Sequence, residues 1–133
     1  MLSKLAVATD GSSTAQQAVD AAFELAGRYD AEVLILTAYS GDAAVNGVWA
    51  ASSATHAERV LAIAEEAAQA RGLRHSSAML EGEPAEVIVG LAERHGVDML
   101  VVGSVGMQRR VLGSVPNTVT HKATCHVFVV KTD

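Results

Sequence analysis

Short, continuous apolar runs alternate along this chain with longer segments whose apolar positions recur at helical spacing. Leu5-Ala6-Val7-Ala8-Thr9 is the first run, followed by the turn residues Asp10-Gly11-Ser12-Ser13. Ala15, Ala18, Val19, Ala22 and Ala26 then mark the stripe of an amphipathic helix, capped by Ser12 or Ser13 and stopped loosely at Gly27. Val33-Leu34-Ile35-Leu36-Thr37 is apolar on both faces, as a central parallel strand must be. From Tyr39 to Ser53 no period holds, and the stretch with Gly41, Gly47 and Trp49 reads as a long connection. A second helix carries Ala57, Val60, Leu61, Ala64, Ala67 and Ala68 on one face and stops at Gly72. His75 to Leu80 alternates weakly, as an edge strand does. Gly82-Glu83-Pro84 opens a helix with the stripe Val87, Ile88, Leu91, Ala92 and His95, ending at Gly96. Met99 to Val102 is the fourth run, Ser114 caps a short helix through about Ala123, and Val127 to Val130 is the fifth run.

Strands and helices in strict alternation predict an α/β fold, a Rossmann-like five-stranded parallel sheet with helices on both faces. A length of 133 residues suits one domain, residues 1–133. Half of the residues are apolar but only 4% are aromatic, so the core must be built from Ala, Val, Leu and Ile. The formal charge of −5, with no Lys/Arg run of patch length, argues against a nucleic-acid partner. No apolar stretch approaches the roughly 18 residues that span a bilayer, so no membrane partner is expected. Met1-Leu2-Ser3-Lys4 lacks a signal architecture, and Cys125 alone cannot form an internal disulfide. Both features fit a cytoplasmic location.

Ligands of open parallel sheets settle beyond the carboxyl ends of the strands, where the strand order reverses. Two segments leave such ends with candidate chemistry. In Thr9-Asp10-Gly11-Ser12 a carboxylate follows the first strand, placed either to accept bonds from a ribose or an adenine amine or simply to cap the helix; alone, the motif fits both readings equally. In Gly103-Ser104-Val105-Gly106, continuing to Gly113-Ser114, two glycines three apart precede a helix start. Glycines let backbone approach a ligand, and helix N-termini attract phosphate. A glycine-rich turn followed by a capped helix is the plainer alternative. Arg109 and Arg110 lie between, as phosphate-facing guanidinium groups or as a solvated pair.

These residues carry a resemblance to the universal stress protein family over the whole length, from Ala8-Thr9-Asp10-Gly11-Ser12 to Val127-Phe128-Val129-Val130. Nucleotide-binding members carry G-x2-G-x9-G-(S/T) after the fourth strand, and Gly103, Gly106, Gly113 and Ser114 match its fixed positions, followed by the typical Val115. The resemblance implies strand order 3-2-1-4-5 and ATP or a related adenine nucleotide as ligand, with or without magnesium. Ala8, Thr9 and Asp10 would lie near adenine and ribose, Ala38 would meet the base through its backbone, and Val102 would flank the pocket. Gly103, Gly106, Gly113, Ser114 and Val115 would cradle ribose and phosphates, with Arg109 as a candidate phosphate contact. Family dimers resemble a homodimer built around the last strand, Val127 to Val130. One departure stands out: six residues separate Gly106 from Gly113 where the family pattern has nine.

Other chemistry leaves no trace. The five histidines show no metal-ligand spacing, no G-x-S-x-G elbow is present, and no Gly-Lys-Ser/Thr follows the first strand. Three functions remain in competition. The leading one is a nucleotide-binding stress-response or regulatory protein with little or no turnover. A homodimeric interaction module of the same fold, with a vestigial pocket, is the second. A weak phosphoryl-transfer enzyme is the third, disfavoured because no carboxylate lies between Gly103 and Ser114.

Overall fold

The computed structural model describes residues 2–40, 53–104 and 114–132. Strands β1 (Lys4–Ala8), β2 (Glu32–Tyr39), β3 (His75–Glu81), β4 (Met99–Gly103) and β5 (His126–Val130) alternate with helices α1 (Ser13–Tyr29), α2 (Ala54–Ala70), α3 (Pro84–Arg94) and α4 (Ser114–Lys122). The strands form one parallel sheet in the order β3-β2-β1-β4-β5, as expected.

The period-2 rule divides the core into two halves. Leu5, Val7, Val33, Ile35 and Val101 face α1 and α2, where Ala18, Ala22, Phe23, Leu61 and Ala64 meet them. Ala6, Ala8, Leu34, Leu36, Leu100 and Val102 face the other way, onto Ile88, Leu91, Ala92 and Val119 of α3 and α4. Small alanines along the helices let them lie close to the sheet. The most buried strands, β1 and β2, therefore read as unbroken apolar runs.

Helix ends follow local chemistry. Ser12, in extended conformation, accepts the Ala15 N–H at 3.1 Å and so is the cap of α1; Ser13 is its first residue. Gly27 does not stop this helix, contrary to expectation. The chain runs on to Tyr29 and reverses at Asp30, whose φ of 53° is left-handed and whose N–H reaches Ala26 O. A short polar side chain tolerates that conformation, so Asp30 does the work assigned to glycine. Glu83 caps α3, its carboxylate accepting from Ala85 N–H and Glu86 N–H at 3.2 and 2.9 Å, with Pro84 first in the helix. His95 is a second departure. It lies beyond the last turn of α3, half-buried, and caps it through its backbone N–H to Leu91 O rather than packing on the stripe.

Candidate functional site

At their carboxyl ends the strands do not finish level. The last β1–β2 pair is Ala8↔Leu36, yet β2 continues through Thr37, Ala38 and Tyr39 beside β3. The last β1–β4 pair is Val7↔Val101, yet β4 continues to Gly103 beside β5. Strand β1 is thus recessed between two neighbours that run on past its end, and the strand order reverses around it. This notch is where the sheet geometry places a ligand.

Three side chains hold the turn leaving β1. Thr9, 3% exposed, gives its N–H to Leu36 O and accepts the Gly11 N–H on Oγ1 at 3.1 Å. Asp10 Oδ1 accepts the Ser12 N–H at 2.9 Å, and Ser12 Oγ accepts from Ala15. The helix-cap reading of Asp10 is therefore visible as a tight turn around its carboxylate, which sits half-buried at the notch. Gly11 makes the turn possible, with φ +84° and Val60 Cγ2 of α2 only 2.8 Å from where a Cβ would stand.

Ala38 is turned toward the notch by register. Leu36 turns its carbonyl toward β1 and Tyr39 turns its carbonyl toward β3, so Ala38, two residues beyond Leu36, again aims at β1. In a continued ladder the Gly11 N–H would reach the Ala38 carbonyl; it goes to the Thr9 hydroxyl instead. Ala38 O receives a long contact, 3.5 Å, from its neighbour Thr37 Oγ1. The whole residue is buried, and its methyl packs into the core, so what it turns toward β1 is backbone.

Gly103 has a different reason for being small. A Cβ there would lie 3.2 Å from Thr132 Cγ2, 3.7 Å from Ala18 Cβ and 3.8 Å from Thr14 O. Protein, not open space, fills the volume a side chain would need. Ser104 beyond it is 1% exposed and bonded to the chain after β5. Sequence reasoning missed Ser104 and Thr132 as a pair. Their only signal is that Phe128, Val130 and Thr132 share one edge by period 2.

Gly106, Arg109 and Gly113, together with Arg110 and Trp49, lie outside the described residues. Ser114 is the first residue of α4 rather than its cap, and Val115 behind it packs into the core at 7% exposure. At this helix start the N–H groups of Ser114 and Val115 have no partner within the helix, and Pro116 has no N–H. The first turn carries no acidic residue, and His121 and Lys122 occupy the last, a charge order that leaves the positive dipole end uncompensated.

At the opposite end of the sheet an open depression of about 1030 Å³ is lined by Tyr29, Glu93, Val97, Asp98, Met99 and Cys125, among others. It is remote from the notch and offers little chemistry. The Asp98 carboxylate is already held by Ser3 N–H, Ser3 Oγ–H and Lys4 N–H, each at 2.9 Å. Burial pushes the Cys125 thiol above its ordinary value, helped by the charges of Glu93 and Asp98, so it is no activated nucleophile. No described helix is long and apolar enough to cross a membrane.

Known proteins of the same build give this geometry a context. The universal stress protein family model matches residues 1–131. A universal stress protein of Mycobacterium tuberculosis is 33% identical, the alignment covering 95% of this chain and 94% of that one. YxiE of Bacillus subtilis, also a universal stress protein, is 31% identical over 98% of this chain and 100% of its own. Among solved structures, a universal stress protein in complex with cAMP superposes with a TM-score of 0.82 at 31% identity, covering 99% of this chain and 98% of that one. An Archaeoglobus fulgidus universal stress protein in complex with dAMP, 20% identical with a TM-score of 0.76, shares the fold over 98% of both chains.

Proposed function

This chain belongs to the universal stress protein family, and from that membership and the notch above β1 we propose that it binds an adenine nucleotide, ATP or a close relative, as a regulatory protein with little or no turnover. The observation that carries the reading is the recessed carboxyl end of β1, where the Asp10 carboxylate and the β2 overhang offer acceptors. Asp10 and the Ala38 carbonyl offer acceptors to ribose and adenine. For the phosphates we take the backbone of Gly103, Gly106 and Gly113 and a charge contact from Arg109 on the sequence pattern alone, beside the N–H groups of Ser114 and Val115 at the start of α4, with Ala8, Thr9 and Val102 as the floor. A universal stress protein of closely similar fold, solved with cAMP, supports the ligand class. Turnover lacks support because the segment from Gly103 to Ser114 contains no carboxylate or histidine.

The test is calorimetric titration of nucleotide-stripped protein with ATP, ADP, AMP and cAMP, with and without magnesium. Charge-assisted bonds worth about 1.5–3 kcal/mol each, offset by ordering, lead to an expected Kd on the order of micromolar. Absence of saturation by all four at millimolar concentration refutes the reading.

A second part of the proposal concerns β5, a sheet edge. His126 N–H and Val130 C=O both bond toward β4, so the odd residues Val127 and Val129 aim their backbone groups outward. The strand is apolar at successive positions, and Phe128 is 38% exposed. An uncovered edge of this kind invites a partner, which supports a homodimer formed through Val127 to Val130.

A further inference from the structure

The two chain segments that leave the sheet side by side, Gly103-Ser104 after β4 and Lys131-Thr132 after β5, are joined by more than the ladder. Ser104 N–H reaches Val130 O at 2.9 Å, continuing the β4–β5 pairing by one step. The direction then reverses: the Thr132 N–H donates to Ser104 Oγ at 3.0 Å, and the two hydroxyls stand 3.5 Å apart. Thr132 Cγ2 covers the face of Gly103 at 3.2 Å from the Cβ position. A buried hydroxyl, 1% exposed, thus replaces the backbone carbonyl that would have received Thr132 if the strands had run on. The replacement ends the ladder while keeping both chains tied.

We infer that Ser104 and Thr132 form a positioning latch that fixes where β4 hands over to the glycine segment, so that the chain following β5 sets the nucleotide site without touching the nucleotide. This inference rests on the proposed nucleotide function. Its physical basis is that Gly103 has no side chain to anchor it. With the Ser104 hydroxyl removed, the partly buried Thr132 N–H loses its acceptor and the Thr132 methyl is free to leave the Gly103 face. The first residues of the phosphate-binding segment then lose their only side-chain anchor among the described residues.

The test combines Ser104→Ala, which removes the acceptor, with Thr132→Pro, which removes the donor, in a double-mutant cycle read by ATP titration and thermal unfolding. Each single variant, titrated well below its unfolding transition, is expected to bind ATP about tenfold more weakly, and its melting temperature should fall by about 4 °C because the bond is present without ligand. The double variant should be no weaker than either single one, because both break the same contact. Combining Ser104→Ala with Asp10→Ala should instead multiply the two losses, the behaviour of independent sites against which the Ser104–Thr132 cycle is read. Wild-type affinity in both single variants overturns the latch, as do losses that multiply between Ser104 and Thr132. If the wild-type protein itself binds no nucleotide, the functional reading fails first, and the latch fails with it.

Discussion

Gly11→Ala is the perturbation that most directly tests how the turn above β1 is built. Two separate penalties meet at this position. A non-glycine residue at φ +84° costs about 1–2 kcal/mol because its Cβ crowds the following carbonyl. The new methyl would also stand 2.8 Å from Val60 Cγ2, with Cγ1 and Cβ of the same residue at 3.6 and 3.7 Å. Val60 is β-branched and 7% exposed, so it cannot swing aside, and overpacking of this kind adds about 1–3 kcal/mol. Together they amount to about 3 kcal/mol, which at roughly 4 °C per kcal/mol for a domain of this size lowers the melting temperature by about 12 °C. The two penalties separate in a cycle with Val60→Ala. On its own that substitution opens a small cavity and destabilises by about 1 kcal/mol, but in the Gly11→Ala background it relieves the clash and should be neutral or stabilising. Urea and thermal unfolding of the four proteins give the numbers. A Gly11→Ala loss under about 0.5 kcal/mol, or strictly additive effects of the two substitutions, would refute the reasoning.

Three further outcomes follow from particular contacts. Asp10→Ala should weaken ATP binding by about 10–100-fold, the worth of a charge-assisted bond, whereas Asp10→Asn keeps the Oδ1 acceptor for the Ser12 N–H and should retain the fold's full thermal stability. The Asp98 carboxyl is held below its ordinary value by bonds from Ser3 N–H, Lys4 N–H and the Ser3 hydroxyl; a depressed folded pKa stabilises fully above the unfolded pKa of about 3.9, and that stabilisation disappears as pH falls through the lower folded value. The stability gap between wild type and Asp98→Asn, measured by urea unfolding, should accordingly be constant near neutral pH and close below pH 3.8. Val129→Pro should dissociate the proposed dimer in sedimentation while leaving the monomer folded, because the Val129 N–H points away from β4; Phe128→Pro, whose N–H points toward β4, should unfold the edge instead.

Much of this architecture can be read from spacing because the signal is redundant. Leu5 and Val7 go to one face and Ala6 and Ala8 to the other, and the same alternation recurs in Leu34/Leu36 against Val33/Ile35, so no single residue decides a strand. Helix ends rest on single residues and are less legible. Gly27 was a permissible stop for α1, but nothing obliged the chain to turn there, and the left-handed residue proved to be Asp30. His95 fell on the apolar period of α3 only because the period was extrapolated one residue past the helix. At the site, Asp10 is legible because it follows its strand directly. The Thr9 hydroxyl that frees the Ala38 carbonyl is not, since its role depends on β1 stopping short of β2. The bond between Ser104 and Thr132 spans 28 residues and depends on the β4–β5 register, which no local pattern encodes. Gly103 is the instructive case: the sequence shows a glycine where a ligand would need one, and the structure supplies a second reason, the Thr132 methyl.

The polarity of the notch makes a prediction about the base itself. In the turn after β1 the Gly11, Ser12 and Ala15 N–H groups go to Thr9, Asp10 and Ser12. The acceptors beside the notch are the Asp10 carboxylate and the Ala38 carbonyl. Across β1, the start of α4 has the reverse character, with backbone donors and a positive dipole end. A matching ligand needs donors at one end and negative charge at the other, and adenine, with its exocyclic amine, joined to ribose hydroxyls and phosphate has that polarity. Inosine monophosphate differs from AMP chiefly in carrying a carbonyl where adenine carries the amine. That oxygen would face the Ala38 carbonyl, leaving two acceptors opposed with no proton between them. An unmatched polar pair of this kind costs about 1–3 kcal/mol, so AMP should bind about 10–100 times more tightly than inosine monophosphate. The assay is competition of each against a fluorescent adenine nucleotide. Equal affinities would place the base away from Ala38 and take the overhang of β2 out of the site, while leaving the phosphate end at α4 untouched.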